Sequence, residues 1–293
     1  EGRTYSYNGE EISIEQLTSQ EISSIVNSAE TQDFLDSDNW GVSDLPGRVS
    51  QGLKQNIEEL SVSLNSFSQL NTQGSRNTGI FRGNDPDIIF VIDVSSSMSE
   101  AFEGAPIGDL NGDNEANTRL DAAIEGFIRL NRQLISQGLG EQVDIAVVVY
   151  SNSARNANMS LAVNEQSLST KPSADVNGNG ISDVEEIIRS IRTGAFGVVP
   201  GTNPEAALQQ VEATFNGLGT ADGDGNVIFL TDGGQTGGNS INDEITRLTA
   251  KNVKLNAFGI GSDASLDIIQ EIDPTGFNFT STNQLLGTFD DFI

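Results

Sequence analysis

The sequence predicts an α/β fold: a doubly wound, mostly parallel sheet with helices on both faces, preceded by a small helical N-terminal extension. From residue 86 onward, short apolar runs alternate with stretches whose apolar residues recur every three or four positions. Two of the apolar runs end in polar segments that contain Asp. Because open α/β sheets bind ligands beyond the carboxyl ends of their strands, we expect the functional site at that edge.

Residues 1–85 are polar and rich in Ser, Gln, Asn and Glu, and we expect a partly helical extension and linker there. Apolar spacing predicts a helix over residues 11–28 and a better one over 51–70. Pro46 breaks the chain between them, and residues 73–86 are typical of a linker. These helices are expected to pack on the main domain or on a neighbouring module.

Residues 86–293 form the main predicted domain, with a loop insertion at 175–186. Predicted strands cover residues 87–94, 143–150, 226–231, 253–259 and 278–280, with a short antiparallel edge at 158–163. Predicted helices cover residues 118–136, 184–191, 204–215, 240–250, 264–272 and 282–292.

The composition is strongly acidic, with 42 acidic and 15 basic residues among 293 and a formal net charge of −27. Such a surface repels nucleic acid and anionic membranes and attracts divalent cations. We therefore expect no nucleic-acid partner and no direct membrane insertion. An alternative explanation of the acidity is solvation in a salty medium.

The chain contains no Cys and no His. This composition excludes disulfides, thiol catalysis, Cys/His zinc sites and His-based triads. No stretch is long and apolar enough to span a bilayer. Because the sequence begins with Glu1, we expect it to be part of a longer multidomain chain.

One carboxylate and two hydroxyls follow the apolar run 88–92, as Asp93, Ser95 and Ser97. An Asp beside neutral hydroxyls offers hard oxygen ligands, which suit Mg²⁺, Mn²⁺ or Ca²⁺. Few carboxylates leave such an ion short of negative charge, so it accepts an acidic group from outside. The motif therefore favours metal-dependent capture of a partner's carboxylate over turnover of a substrate.

Two further segments extend this motif. Thr202 precedes a predicted helix, and Asp232 follows the apolar run 227–230. Parallel strands would bring these distant segments to the same edge of the sheet. The alternative is that residues 95–97 are a polar loop and Asp232 is a turn residue.

In this chain order the segments resemble the metal-ion-dependent adhesion site of the von Willebrand factor A (VWA) family, whose motif is D-x-S-x-S, then Thr, then Asp. The resemblance covers residues 86–293 and implies a VWA, Rossmann-like fold. It implies metal-site roles for Asp93, Ser95, Ser97, Thr202 and Asp232. The two Ser would bind Mg²⁺, Ca²⁺ or Mn²⁺ directly, Thr202 directly or through water, and the two Asp largely through water.

Residues 175–186 match the EF-hand calcium loop at its diagnostic positions, and no clear helix precedes them. They resemble the half-EF-hand of dockerin-type repeats, which implies Ca²⁺ as a cofactor. The candidate ligands are Asp175, Asn177, Asn179, Ile181 through its carbonyl, Asp183 and Glu186. We expect the side chain of Ile181 to pack inward. The alternative is a solvated polar turn.

A second segment begins like a calcium loop, with candidate ligands Asp109, Asn111 and Asp113. It then departs from the motif, because position 6 is Asn114 instead of Gly and position 12 is Leu120. Glu115 or Asp121 are the residues available to complete a cage. The alternative is a plain acidic turn.

The resemblance implies an extracellular or cell-surface binding module, of the kind found in large RTX-type bacterial adhesins, whose partner is a protein or other ligand presenting a carboxylate. It implies no enzymatic activity. One alternative is an intracellular VWA subunit that partners an AAA+ ATPase. The other is a metal-dependent phosphohydrolase, which would need a second carboxylate where Ser95 stands.

Overall fold

The computed structural model of the chain describes residues 4–7, 10–13, 83, 85–194, 201–290 and 292. The chain divides into two compact units, Glu1–Arg76 and Asn77–Ile293. In the first unit, β1 (Thr4–Tyr7) pairs antiparallel with β2 (Glu10–Ser13).

The helix predicted over residues 11–28 is therefore wrong at its start, since residues 11–13 are strand. The sequence between β1 and β2 is Asn8-Gly9, a pair that favours two-residue hairpins, and strand pairing outweighs the helical apolar spacing here. The remainder of that helix, the helix at 51–70 and most of the linker lie outside the described residues.

The second unit contains a six-stranded sheet in the order β5-β4-β3-β6-β7-β8. Its strands are β3 (Asp87–Asp93), β4 (Asp144–Tyr150), β5 (Ala154–Asn156), β6 (Gly225–Thr231), β7 (Lys254–Ile260) and β8 (Phe277–Phe279). Neighbouring strands are parallel except for the antiparallel pair β4–β5. This architecture confirms the predicted α/β class.

Helices cover both faces of the sheet, as predicted. They are α1 (Arg119–Ser136), α2 (Asp183–Arg189), α3 (Pro204–Leu218), α4 (Asn242–Ala250), α5 (Leu266–Ile272) and α6 (Thr282–Asp290). Their boundaries differ from the predicted ones by a few residues, which is the usual uncertainty at helix ends. Among the described residues, none of the helices has the length and apolar character needed to cross a bilayer.

The apolar core lies in two layers, one on each side of the sheet. In the central strand β3, Ile88, Phe90 and Ile92 face the layer covered by α1, α2 and α6. Ile89 and Val91 face the opposite layer, covered by α3, α4 and α5. Because both faces are buried, parallel strands of this kind are continuous apolar runs, which is the pattern seen in the sequence.

The edge strand predicted at 158–163 is wrong. The antiparallel edge is β5, while the following segment is a loop closed by Asn158, which accepts the Ser167 N–H at 2.9 Å and donates to the Glu165 carbonyl at 2.9 Å. Val163 is 87% exposed. Met159 is buried in the core, but Leu161 and Val163 are exposed, so the apolar residues of this segment do not impose strand pairing.

Candidate metal-binding site

Asp93 is the last residue of β3, and its side chain is fully buried. Its Oδ1 accepts the backbone N–H of Ser95 at 2.8 Å, and its Oδ2 accepts the hydroxyl of Thr231 at 2.7 Å. Thr231 ends the neighbouring strand β6. The carboxylate therefore ties together the ends of the two central strands.

The two serines of the motif lie between the carboxylates. Ser95 Oγ and Ser97 Oγ are 3.1 Å apart, and Ser97 donates to Asp232 Oδ1 at 2.9 Å. A short 3-10 turn, Ser96–Ser99, follows β3, and its buried Met98 anchors the loop in the core. The structure thus brings Asp93, Ser95, Ser97 and Asp232 together at the carboxyl edge of the sheet.

Thr202 lies against the residue that follows Asp232. A Cβ atom at Gly233 would lie only 3.1 Å from Thr202 Oγ1, so the glycine allows the close approach. The Thr202 backbone is held by Thr236, whose N–H donates to its carbonyl at 2.8 Å. Thr202 itself is buried and immediately precedes Asn203, the N-cap of α3.

Arg119 is a residue of this region that the sequence analysis missed. Its Nη1 donates to Asp232 Oδ2 at 2.9 Å, and its Nη2 donates to Asp263 at 2.7 Å and pairs with Glu100 at 3.1 Å. The Arg119 contact uses the Asp232 oxygen that Ser97 does not use. A cation in the first turn of a helix is unfavourable for the helix dipole, and this is the signal that could have indicated a nearby carboxylate.

Tyr150, at the end of β4, is a second residue that the sequence analysis missed. Its side chain is fully buried, and its hydroxyl lies beside the side chains of Thr231 and Asp93. Burial, and then the charge of Asp93, raise the pKa of this phenol well above its ordinary value. Tyr150 therefore belongs to the same buried polar group as Asp93 and Thr231.

Negative charge accumulates at this edge. Burial, and then the charge of Asp232, raise the pKa of Asp93 to about 6. The pKa of Asp232 is also raised, because the effect of burial exceeds the lowering by the hydrogen bonds from Arg119 and Ser97. Within the described part of the chain, no three acidic, His or Cys side chains form a metal-binding cluster. The donor set is instead two carboxylates and neutral hydroxyls, which fits a hard divalent cation.

Comparison with known protein families identifies the family of this chain. The model of the von Willebrand factor type A domain matches residues 87–291. The chain belongs to the VWA family. Members of this family are typically non-enzymatic modules of protein interaction and adhesion. No curated protein matches the chain.

Solved structures show the same fold at low identity. A von Willebrand factor type A protein from Catenulispora acidiphila is 17% identical with a TM-score of 0.51, over 71% of this chain and 42% of that one. Proximal thread matrix protein 1 from the mussel byssus is 20% identical with a TM-score of 0.50, over 71% of this chain and 48% of that one. The VWA chain thus spans less than half the length of either protein.

The VWA domain also contains the candidate calcium loop 175–186, whose last residues form the first turn of α2. Asp175 Oδ1 accepts the N–H of Asn179 at 3.1 Å, and its Oδ2 accepts the N–H of Gly180 at 2.9 Å. Glu186 accepts the side-chain amides of Asn177 at 2.7 Å and Asn179 at 3.0 Å. The first and last candidate ligands therefore enclose the same turn, as a cation-binding loop requires.

Asp183 lies beneath this loop. Its Oδ1 accepts the N–H of Val176 at 3.0 Å, so the carboxylate faces the loop. Its Oδ2 is buried without a hydrogen-bond partner among the described residues. The expectation that Ile181 packs inward is wrong, because its side chain is 41% exposed and Val184 takes the inward position.

The loop at 109–113 has a similar backbone arrangement. Asp109 accepts the N–H groups of Gly112 at 2.6 Å and Asn114 at 3.0 Å. Asp121 is buried, but its oxygens accept the Leu110 N–H and cap α1 through Thr118. Asn111 donates to Asp113 Oδ2 at 2.9 Å. Calcium binding by this loop stays a prediction.

Proposed function

We propose that this VWA domain is an extracellular or cell-surface adhesion module that captures an acidic residue of its partner through a divalent cation. Asp93, Ser95, Ser97, Thr202 and Asp232 are the proposed metal-site residues. The observation that carries the proposal is the continuous chain of contacts from Asp93 through the two serines to Asp232 at the carboxyl edge of the sheet.

The proposed ligands explain why the ion would accept an outside carboxylate. Ser95 and Ser97 would bind Mg²⁺, Ca²⁺ or Mn²⁺ directly, and Thr202 directly or through water. Asp93 and Asp232 would act largely through water, so the nearest ligands are neutral. Arg119 offsets part of the Asp232 charge. The bound ion would therefore keep much of its positive charge for a partner's carboxylate.

We infer that the domain has no catalytic activity of its own. Hydrolysis needs a general base poised near the reacting group, and the chain has no His or Cys. Asp93 has a raised pKa, but each of its oxygens already accepts a hydrogen bond, one from the Ser95 N–H and the other from the Thr231 hydroxyl. Ser95 stands where an aspartyl phosphohydrolase needs its second carboxylate.

We also propose that residues 175–186 bind Ca²⁺ and that the ion stabilises the domain. The unpartnered, buried Oδ2 of Asp183 supports this proposal, because a buried carboxylate oxygen without a partner is costly. Glu186 and Asp175 add further negative charge around the same turn. A calcium-loaded loop in an acidic chain fits a large RTX-type surface protein, and such a setting is part of the proposal.

A peptide-array experiment tests the adhesion function. Each array should hold pairs of peptides that are identical except that one has Asp or Glu where the other has Asn or Gln. The domain should be applied to them in Mg²⁺ or Mn²⁺ and, separately, in EDTA. We expect binding only to acidic peptides, only with metal, and none by Asp232→Ala. Asp243→Ala, which removes an exposed carboxylate on α4, should bind normally. Binding to acidic peptides that survives EDTA would refute the metal-dependent capture.

A further inference from the structure

The segment that follows α2 contacts the adhesion loop, defined here as residues 94–100. The backbone N–H of Gly194 donates to the carbonyl of Val94 at 2.8 Å. The hydroxyls of Ser99 and Thr193 are 3.3 Å apart. The helix that begins in the candidate calcium loop is therefore followed, within a few residues, by a segment that contacts the loop with two candidate metal ligands.

The hydrogen bond from Gly194 to Val94 also constrains Ser95, because the Val94 carbonyl and the Ser95 N–H belong to one peptide unit. The carbonyl of Val94 accepts from Gly194, and the N–H of Ser95 donates to Asp93 Oδ1 at 2.8 Å. The planar peptide is thus held at both ends. A shift of Gly194 would rotate this plane and move the Ser95 side chain.

Helix α2 is short, so a displacement of its first turn also displaces its last turn. It spans seven residues, and Glu186, the last candidate calcium ligand, lies in its first turn. Val184, Ile187 and Ile188 are buried in the same apolar layer as Met98 of the adhesion loop. A packed core has discrete arrangements, so a helix held by such contacts moves as a unit.

The candidate calcium loop is the less constrained end of this arrangement. Within the described part of the chain, the Glu186 carboxylate accepts hydrogen bonds from the exposed side-chain amides of Asn177 and Asn179. Asp183 Oδ2 has no partner among the residues described. A bound Ca²⁺ would replace these contacts with stronger ones to the carboxylates and so fix the start of α2.

We propose that Ca²⁺ at residues 175–186 controls metal affinity at the adhesion site by fixing the Val94–Ser95 peptide through α2 and Gly194. This proposal rests on the function proposed above. Calcium should strengthen metal binding among the adhesion residues. By thermodynamic reciprocity, metal at the adhesion site should tighten calcium binding by the same factor.

Hydrogen–deuterium exchange tests the structural part of the proposal. In the wild type, titration with Ca²⁺ should slow exchange in peptides that cover residues 94–100. The same slowing is expected in the control Glu165→Gln, which removes one negative charge from an exposed side chain on another loop. The effect should be lost in Glu186→Gln and Asp175→Asn. Unchanged exchange in the wild type despite measured Ca²⁺ binding would overturn the coupling, as would slowing that persists in both loop variants.

Mn²⁺ binding, followed by electron paramagnetic resonance at a fixed Ca²⁺ concentration, tests the energetic part. The Mn²⁺ site lost in Asp93→Ala identifies the adhesion site. Its affinity should fall at least about five-fold in Glu186→Gln relative to Glu165→Gln. Equal affinity in the two variants would overturn the coupling. If no Mn²⁺ site depends on Asp93, the adhesion function fails, while the exchange result still decides whether the two loops are coupled.

Discussion

Asp232 is the residue at which the interactions of the adhesion site and of the surrounding ion pairs meet. One of its oxygens accepts from Ser97, and the other accepts from Arg119. Its side chain has 0% exposure and that of Arg119 has 9%. The Arg119 guanidinium therefore orients Asp232 and offsets its charge, on the oxygen that Ser97 leaves free.

Arg119→Gln should lower the free energy of unfolding by about 1–3 kcal/mol, since it leaves a buried carboxylate oxygen without its charged partner. The matched control is Arg129→Gln, because Arg129 forms a more exposed pair with Asp290 and should cost about 0–1 kcal/mol. Urea unfolding measures both values. A loss for Arg119→Gln no larger than that of the control would contradict the structural role given to this residue.

At the scale of the elements, α1 and α6 approach each other closely at Gly126. A Cβ atom there would lie 2.7 Å from ring carbons of Phe289 and 3.0 Å from Leu285. Phe289 also packs at 6.4 Å, centroid to centroid, from Phe127 of α1. A glycine inside a helix is unfavourable, so its presence here indicates that the space is needed.

Gly126→Ala should therefore destabilise the domain by about 1–2 kcal/mol, because overpacking outweighs the gain in helix propensity. Gly287→Ala in α6 is the control, since nothing lies within 4 Å of its Cβ position. That variant should be stabilised by about 0.5–1 kcal/mol. Thermal unfolding distinguishes the two outcomes, and a stabilised Gly126→Ala would show that the helices can separate without cost.

The strands that are buried on both faces were predictable from the sequence. The run of Ile88–Ile92 specified β3, and the parallel sheet brought Asp93 near Asp232 as expected. The short strand β5 was not predictable, because its three residues are too few to show the alternation of apolar and polar side chains that marks a strand. Arg119 and Tyr150 were missed for another reason: their roles depend on neighbours distant in sequence, which local patterns do not contain.

Calcium should raise the melting temperature through the loop 175–186. Binding to the folded state alone adds about 2.7 kcal/mol at a hundredfold excess over Kd. Glu186→Gln should shrink the shift, because it removes an anionic group that lies against Asn177 and Asn179. Differential scanning calorimetry in Ca²⁺ and in EDTA provides the measurement. Identical melting curves in the two buffers would exclude a calcium role in stability.

At the scale of the whole molecule, the net charge of −27 is the dominant property. Such an excess destabilises a compact chain through self-repulsion, which dissolved salt screens. Divalent ions at the two proposed sites would act differently, because they bind specific groups at low concentration.

Raising NaCl from about 0.01 M to 0.15 M in EDTA should therefore raise the melting temperature, since the Debye length falls from about 30 Å to 8 Å. Added Ca²⁺ should raise it further at constant ionic strength. MgSO₄ and NaCl series matched for ionic strength separate screening from site binding. A melting temperature that falls with NaCl would show that self-repulsion is not limiting.

The central claim is that a divalent cation binds at the carboxyl edge of the sheet, and the anomalous signal from a crystal soaked in Mn²⁺ tests it most directly. We expect a peak among Ser95, Ser97 and Asp232 that is absent in Asp93→Ala crystals. One position on the ion should be occupied by water or by a neighbouring carboxylate. No peak there, or an Arg119 guanidinium inserted between the two serines, would contradict metal binding at this edge of the sheet.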